Sequence, residues 1–135
     1  MKIVLDVNVI LSALIRDSTT RKIILDSEFD FYFPEPSLRK ISKYKHYILE
    51  KSGMAEEEYD KTMATLFKHI RLVPAEEIEK NWYKAMKIMT HIDEEDMVFI
   101  ATALSMPDSV IWSNDKDFER QDKVKVLKTE EMIKV

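Results

Sequence analysis

Two aspartates follow apolar runs in a way that would bring them together. Asp6 comes directly after Ile3-Val4-Leu5, and Asp115 closely follows Val110-Ile111-Trp112. Each run is typical of a buried strand. In an open α/β sheet the carboxyl ends of parallel strands border the crevice where ligands bind. We therefore expect both carboxylates at the same edge of one sheet.

A third group of acids, Asp93-Glu94-Glu95-Asp96, stands at the start of an apolar helical stretch. Asp93 and Asp96 are three residues apart and so share a helix face. Acids are also ordinary in the first turn of a helix, because the helix dipole favours them there and Asp93 is a suitable N-cap. Asp96 is harder to explain in that way, because the core-like run Val98-Phe99-Ile100 follows it.

Carboxylates gathered at one place indicate a cation. They raise one another's pKa unless a positive charge lies between them, and Mg²⁺ and Mn²⁺ prefer such oxygen ligands. Three or four acids at one site therefore predict one or two divalent ions and metal-assisted cleavage of a phosphodiester.

Composition excludes several other kinds of site. The 135 residues include no cysteine and one glycine. Thiolate catalysis and sulfur-ligated metals are therefore excluded, and a Walker loop or dinucleotide fingerprint would need more glycines. The net charge of −4 argues mildly against nucleic acid unless the acids bind cations.

The elements that must position these acids alternate between strands and helices. This pattern predicts one domain, residues 1–135, with a three-layer α/β/α fold and a central parallel sheet of about five strands. The predicted strands are 3–5, 31–33, 70–73, 110–112 and 124–127. The predicted helices follow Asp6 and Ser18 and span 37–51, 55–69, 75–90 and 93–105, with a short one at the end. Gly53 is expected to cap the helix over 37–51.

Two features of the sequence predict an intracellular protein. No apolar run approaches the roughly 20 residues of a membrane span, and the N-terminal segment reaches Asp6 too early for a signal peptide. We therefore expect a cytoplasmic protein that does not contact a membrane.

Three blocks of this sequence resemble the PIN domain, the family that includes the VapC-type toxin ribonucleases. They are Ile3–Leu11, the acidic group with Phe99–Leu104, and Ile111–Phe118. Their order and spacing, and the length of the chain, agree with that family, so the resemblance extends over nearly the whole chain.

The resemblance implies a Mg²⁺- or Mn²⁺-dependent endoribonuclease that cuts RNA, held by a small antitoxin protein and assembled as a homodimer. It implies that three aspartates are catalytic and bind the metal, and that two flanking acids also contact the metal. It further implies that three polar residues support these acids. The catalytic acids are Asp6, Asp96 and Asp115; the flanking acids are Asp93 and Asp117; the supporting residues are Asn8, Ser113 and Asn114. Asn8 is equally well interpreted as a helix N-cap, and Asp117 as a turn residue.

The chain departs from the family pattern at two positions. The glutamate usual on the helix after the second strand is replaced by Arg39 or Lys40, and the hydroxyl residue usual after the first aspartate is Val7. A lysine there would displace a cation or pair with the acids. These departures keep a second function open, that of a catalytically degenerate PIN-fold module that binds RNA or a partner.

Basic residues are concentrated between positions 39 and 51, whereas acids dominate positions 56–60. Either the basic stretch is an ordinary solvated face, or Arg39, Lys40 and Lys43 steer RNA phosphates toward the site. Tyr44 and Tyr47 in the same stretch could stack on bases.

Overall fold

Five parallel strands form the central sheet of this computed structural model, which describes residues 1–15, 18–89 and 94–135. The strands are β1 (Lys2–Leu5), β2 (Asp30–Pro34), β3 (Ile70–Val73), β4 (Val110–Trp112) and β5 (Val126–Leu127). Their order across the sheet is β3-β2-β1-β4-β5, and every neighbouring pair is parallel. Helices flank this sheet, which confirms the predicted three-layer α/β/α fold.

Helices connect the strands, as parallel neighbours require. They are α1 (Val7–Ile15), α2 (Thr19–Asp26), α3 (Leu38–Lys43), α4 (Lys45–Ser52), α5 (Glu56–Phe67), α6 (Ala75–Glu79), α7 (Trp82–Ile88), α8 (Glu94–Leu104) and α9 (Thr129–Met132). Short 3-10 turns span Glu35–Ser37 and Lys116–Arg120. Helix α1 packs on α2, α3, α4 and α5, while α6, α7 and α8 pack together and α8 lies against β1, β2 and β4.

The strand order reverses beside β1. The chain runs from β1 to β2 and β3 on one side, then returns to place β4 and β5 on the other. Leu5 is in register with Trp112, and the backbone N–H of Asp6 donates to the carbonyl of Trp112 at 3.2 Å. The residues that follow β1 and β4 therefore lie side by side at the switch point, where open α/β sheets form their ligand crevice.

Aromatic packing fixes α8 against the sheet. Phe99 of α8 lies 6.0 Å, between ring centroids, from Phe33 of β2 and 6.5 Å from Phe118, and all three side chains are buried. Burying each such ring contributes about 1.5–3 kcal/mol. Because Phe99 is three residues beyond Asp96, this packing also holds the first turn of α8 at the carboxyl edge of the sheet.

Two predicted helices are each divided in two. The helix expected over 37–51 is split at Tyr44, whose φ of −94° and ψ of 5° interrupt the helical path between α3 and α4. The helix expected over 75–90 is split by the non-helical Asn81, with φ −112° and ψ 6°, into α6 and α7. Neither break occurs at a proline or glycine, so the apolar spacing alone could not reveal it.

The last strand is shorter than predicted. The sequence predicts that this strand begins at Val124, whereas β5 is Val126–Leu127. The side-chain amide of Gln121 accepts from the backbone N–H of Val124 and donates to its carbonyl, both at 2.8 Å. These two bonds occupy the backbone groups that a strand residue would offer to its neighbour.

Two predicted helix caps are confirmed. Gly53 ends α4 in the left-handed conformation, with φ 71°, and its N–H donates to the carbonyl of Leu49 at 3.0 Å. Ser18 begins α2, and its hydroxyl accepts from the backbone N–H of Arg21 at 3.4 Å. Among the helices described here, none is long and apolar enough to cross a membrane.

Candidate metal centre

Three carboxylates meet at the carboxyl edge of the sheet. Asp96, Asp115 and Asp117 each offer one oxygen, and these oxygens lie within 4.8 Å of one another. Asp96 comes from the first turn of α8, whereas Asp115 and Asp117 come from the turn that follows β4. All three residues are partly exposed, so the cluster is open to solvent and to a ligand.

Asp6 joins this cluster through Ser113 rather than as a fourth member. The Ser113 hydroxyl donates to Asp6 Oδ2 at 2.7 Å and accepts from the backbone N–H of Asp115 at 3.0 Å. Asp6 is 4% exposed and Ser113 is 1% exposed. This buried serine therefore links the acid that follows β1 to the turn that carries the acids following β4.

Burial is the main influence on the Asp6 carboxyl and raises its pKa above the ordinary 3.8. The hydrogen bond from Ser113 and the backbone N–H of Val7 oppose that rise, as does the positive charge of Lys40, while the negative charge of Asp115 adds to it. Asp6 is therefore a buried acid whose charge depends on the donors around it and on any cation that approaches.

The turn after β4 carries both Asp115 and Asp117. Asp115 is the N-cap of the 3-10 turn, and its Oδ1 accepts from the backbone N–H of Asp117 at 3.0 Å. This is an ordinary turn-forming contact of aspartate. The same turn also brings the Asp117 carboxylate into the cluster, so the structural role does not exclude the ligand role.

Lys40 pairs with Glu95, an acid for which the sequence predicts no role of its own. Its ammonium forms an ion pair with Glu95 of α8, the residue before Asp96. Lys40 also lies near enough to Asp6 to lower that group's pKa. The sequence predicts that a lysine at this position displaces a cation or pairs with the acids of the site; the ion pair that Lys40 forms is with their neighbour Glu95, a residue far from it in the sequence.

The basic residues border a depression beside this ion pair. Arg39, Lys40 and Lys43 line a cavity of about 330 Å³ together with Ser37 and Glu95. Lys45, by contrast, turns toward the acidic helix α5, where it pairs with Glu56 at 2.7 Å and Asp60 at 3.8 Å. The basic stretch is therefore divided, with Arg39, Lys40 and Lys43 at the depression next to Glu95 and Lys45 at helix α5.

The surroundings of the predicted residues Asn8 and Asn114 differ. Asn8 is the second residue of α1 and is exposed, so it is not the N-cap of that helix. Asn114 Oδ1 accepts from the backbone N–H of Thr129, and its Nδ2 donates to Thr129 Oγ1, both at 3.0 Å. Thr129 Oγ1 also accepts from Trp112 Nε1 at 2.9 Å. Asp93 lies outside the described residues.

The donor set suits a small divalent cation. Carboxylate oxygens are hard ligands, and three of them leave room for the water molecules that Mg²⁺ and Mn²⁺ retain when bound to proteins. Mutual repulsion among these charges is relieved when a cation is bound. Chemically, the arrangement can hold a divalent ion at an accessible edge beside a row of basic side chains.

Comparison with known proteins agrees with this architecture. A sequence profile of the PIN domain family matches residues 4–134, while no curated protein matches the chain in sequence. The fold is similar to that of VapBC2 from Rickettsia felis bound to a DNA fragment from their promoter, with a TM-score of 0.68 and 13% identity over 95% of this chain and 98% of that one. It is also similar to VapBC-1 from nontypeable Haemophilus influenzae, with a TM-score of 0.64 and 17% identity over 96% of this chain and 99% of that one. At such identities the solved structures establish a shared fold.

Proposed function

Because the chain belongs to the PIN domain family, we propose that it is a Mg²⁺- or Mn²⁺-dependent endoribonuclease, the toxin of a cytoplasmic toxin–antitoxin pair. The observation that supports this most is the meeting of three carboxylates from α8 and the turn after β4, with oxygens within 4.8 Å of one another. They meet at the switch point of the sheet. The buried Asp6 is connected to the turn that carries Asp115 through hydrogen bonds of Ser113.

In this proposal the carboxylates have two different roles, which are binding the cation and positioning the turn that carries its ligands. Asp96, Asp115 and Asp117 would hold the cation, and Asp93, which lies outside the described residues, would be a further ligand. A bound divalent ion supplies Lewis acidity, which activates water for in-line attack and stabilises charge on the leaving 3′-oxygen. Asp6 would orient Ser113, which accepts from the Asp115 backbone and so keeps the ligand turn in place.

The basic side chains would bring RNA to this edge. Arg39, Lys40 and Lys43 line the depression next to Glu95, and cations arranged in this way attract a phosphate backbone. Lys40 has two partners in this view, because its ammonium neutralises Glu95 and also faces the approaching phosphates.

The protein partner in this proposal is a small antitoxin. Two of the solved structures that share the fold are VapBC2 and VapBC-1, and a partner of that kind would keep the nuclease inactive. A homodimer is the expected assembly, and sedimentation velocity of the purified chain would measure it.

A cleavage assay tests the proposed function. The chain should cut RNA in the presence of Mn²⁺ and not in EDTA, and Asp115→Asn and Asp96→Asn should each reduce the rate by at least about 100-fold. Glu130→Gln, a change in the exposed first turn of α9, is the matched control and should cut like the wild type. Absence of Mn²⁺-dependent cleavage over a panel of structured and single-stranded RNAs would contradict the proposal.

One observation favours a second candidate function, a PIN-fold module that binds RNA or a partner without cutting. The Lys40–Glu95 ion pair already neutralises an acid beside the cluster, which weakens the attraction for a cation. Thermal unfolding separates the two candidates, because a cation bound to the folded chain raises its Tm. A Tm unchanged by millimolar Mn²⁺, together with retained RNA binding, would favour the non-cutting module.

A further inference from the structure

The start of α9 holds the turn that carries two acids of the cluster. Asn114, just before the first of these acids, accepts through Oδ1 from the backbone N–H of Thr129 and donates through Nδ2 to its Oγ1, both at 3.0 Å. Glu119, two residues beyond the second acid, forms an ion pair with Lys128 at 2.8 Å. These contacts lie on either side of the two acids, and both lead to consecutive residues at the start of α9.

The start of α9 is itself anchored to the core. Leu127, the last residue of β5, is in register with Trp112 and accepts through its carbonyl from the backbone N–H of Ser113 at 3.0 Å. The buried Trp112 donates through Nε1 to Thr129 Oγ1 at 2.9 Å, and Met132 of α9 is also buried. Because strand pairing and buried side chains hold α9, it provides a fixed support for the neighbouring turn.

The position of this turn matters for a metal centre. Mg²⁺ binds oxygens at about 2.0–2.1 Å in near-octahedral geometry, which places neighbouring ligand oxygens roughly 3 Å apart. Two of the three clustered carboxylates, Asp115 and Asp117, belong to the turn, whereas Asp96 belongs to α8. The spacing of the three oxygens therefore depends on where the turn lies relative to α8.

We propose that Lys128 and Thr129 are positioning residues of the metal centre, which act through Glu119 and Asn114 to keep the two acids of the turn at the spacing that a cation requires. This inference rests on the metal-binding part of the proposed function. Exposed ion pairs contribute little to overall stability, so breaking the Lys128–Glu119 pair should change the turn and leave the fold intact.

Two substitutions of opposite charge separate positioning from simple electrostatics. Lys128→Met removes a positive charge beside the turn and Glu119→Gln removes a negative one. Electrostatics alone would make the first variant bind Mn²⁺ more tightly and the second more weakly. Positioning predicts that both bind Mn²⁺ about two- to fivefold more weakly, since each breaks the same ion pair. Isothermal titration calorimetry of the folded chain with Mn²⁺ measures each Kd.

Two further variants test whether the contacts themselves are responsible. The double variant Glu119→Lys with Lys128→Glu restores the ion pair in the opposite sense and should bind Mn²⁺ like the wild type. Thr129→Val changes no charge and should weaken Mn²⁺ binding about 10-fold, the lower end of the loss expected when a partner behind a metal ligand is removed. Thr129→Ser keeps the hydroxyl and should bind like the wild type.

Lys80→Met is the matched control for Lys128→Met. Lys80 pairs with Glu77 of α6 at 3.1 Å, and both side chains are exposed. The substitution removes the same charge and breaks the same kind of ion pair at another place on the surface, so the Kd for Mn²⁺ should stay unchanged.

The outcomes separate this inference from the proposed function. Mn²⁺ binding that is unchanged or tighter in Lys128→Met, or unchanged in Thr129→Val, would overturn the positioning role and leave the cluster as a Mn²⁺ site. A wild type that binds no Mn²⁺, or an Asp115→Asn variant that binds it equally well, would overturn the inference together with the metal centre. Weaker binding in both variants, with recovery in the charge-exchanged double variant, would support the inference whether or not RNA is cut.

Discussion

Replacing Ser113 by alanine tests how the buried Asp6 is connected to the ligand turn. The hydroxyl of Ser113 makes two hydrogen bonds, a donation to Asp6 Oδ2 at 2.7 Å and an acceptance from the Asp115 N–H at 3.0 Å. Alanine fits the space of the serine but makes neither bond. The buried carboxylate of Asp6 would lose its side-chain donor, and the Asp115 N–H would lose its acceptor.

The expected cost follows from these two bonds. A hydrogen bond to a charged group contributes about 1.5–3 kcal/mol, and a donor left without an acceptor adds a penalty of its own. Because Asp6 is 4% exposed, water replaces the lost bond poorly. We expect Ser113→Ala to lower the free energy of unfolding by about 2–4 kcal/mol at neutral pH, or the Tm by roughly 4 °C for each kcal/mol.

Urea unfolding of a double-mutant cycle measures this directly. The cycle contains the wild type, Ser113→Ala, Asp6→Asn and the double variant, all in EDTA. The cost of Ser113→Ala should fall by at least about 1 kcal/mol in the Asp6→Asn background, because the charged acceptor is gone. It should also shrink at acidic pH, where Asp6 is protonated.

Ser105→Ala is the matched control. The Ser105 hydroxyl donates to the carbonyl of Thr102 at 2.6 Å, an uncharged acceptor, so its removal should cost about 1 kcal/mol at every pH. The link from Asp6 to the ligand turn through Ser113 would be refuted if Ser113→Ala cost no more than Ser105→Ala, or if its cost were the same with aspartate and asparagine at position 6.

Three further predictions concern the same region. Burial raises the pKa of Asp6 in the folded chain above 3.8. The free energy of unfolding therefore falls as the pH rises from 3.8 through that raised pKa, because the folded chain holds the proton more tightly than the unfolded one. In EDTA, Asp6→Asn should therefore be more stable than the wild type at neutral pH and lose that advantage toward pH 3.8; urea titrations that show a less stable variant at neutral pH would contradict this. Lys40→Met should bind Mn²⁺ about fivefold more tightly by calorimetry, because it removes a positive charge that repels the cation from beside the cluster, and Lys40→Arg should bind it like the wild type. Thr129→Val should lower the free energy of unfolding by about 1–2 kcal/mol, because Thr129 Oγ1 accepts from Trp112 Nε1 and Asn114 Nδ2; an unchanged urea midpoint would show that these bonds do not secure α9.

The parallel sheet and the edge that carries the acids could be predicted from the sequence. Short apolar runs marked the strands, and Asp6 and Asp115 each stood just beyond one of them. Parallel strands leave their carboxyl ends at one edge, so strand position alone was enough to bring β1 and β4 residues together. The turn role of Asp117 followed from the Asp115-Lys116-Asp117 pattern by the same local reasoning.

Contacts between distant parts of the chain could not be predicted in this way. Lys40 and Glu95 are 55 residues apart, and nothing in either local pattern selects the other as its partner. The same holds for the hydrogen bonds that tie Asn114 to Thr129. The division of a predicted helix at Tyr44 was also hidden, because the apolar spacing continues through the break.

Cleavage of a circular single-stranded RNA tests the central claim most directly, because a circle has no ends and only an endonuclease can open it. The wild-type chain should linearise the circle in Mn²⁺ but not in EDTA, and Asp115→Asn should leave it closed. A circle that stays intact with the wild type and Mn²⁺, or one that opens equally fast with Asp115→Asn, would contradict the assignment of the carboxylate cluster as the centre of RNA cleavage.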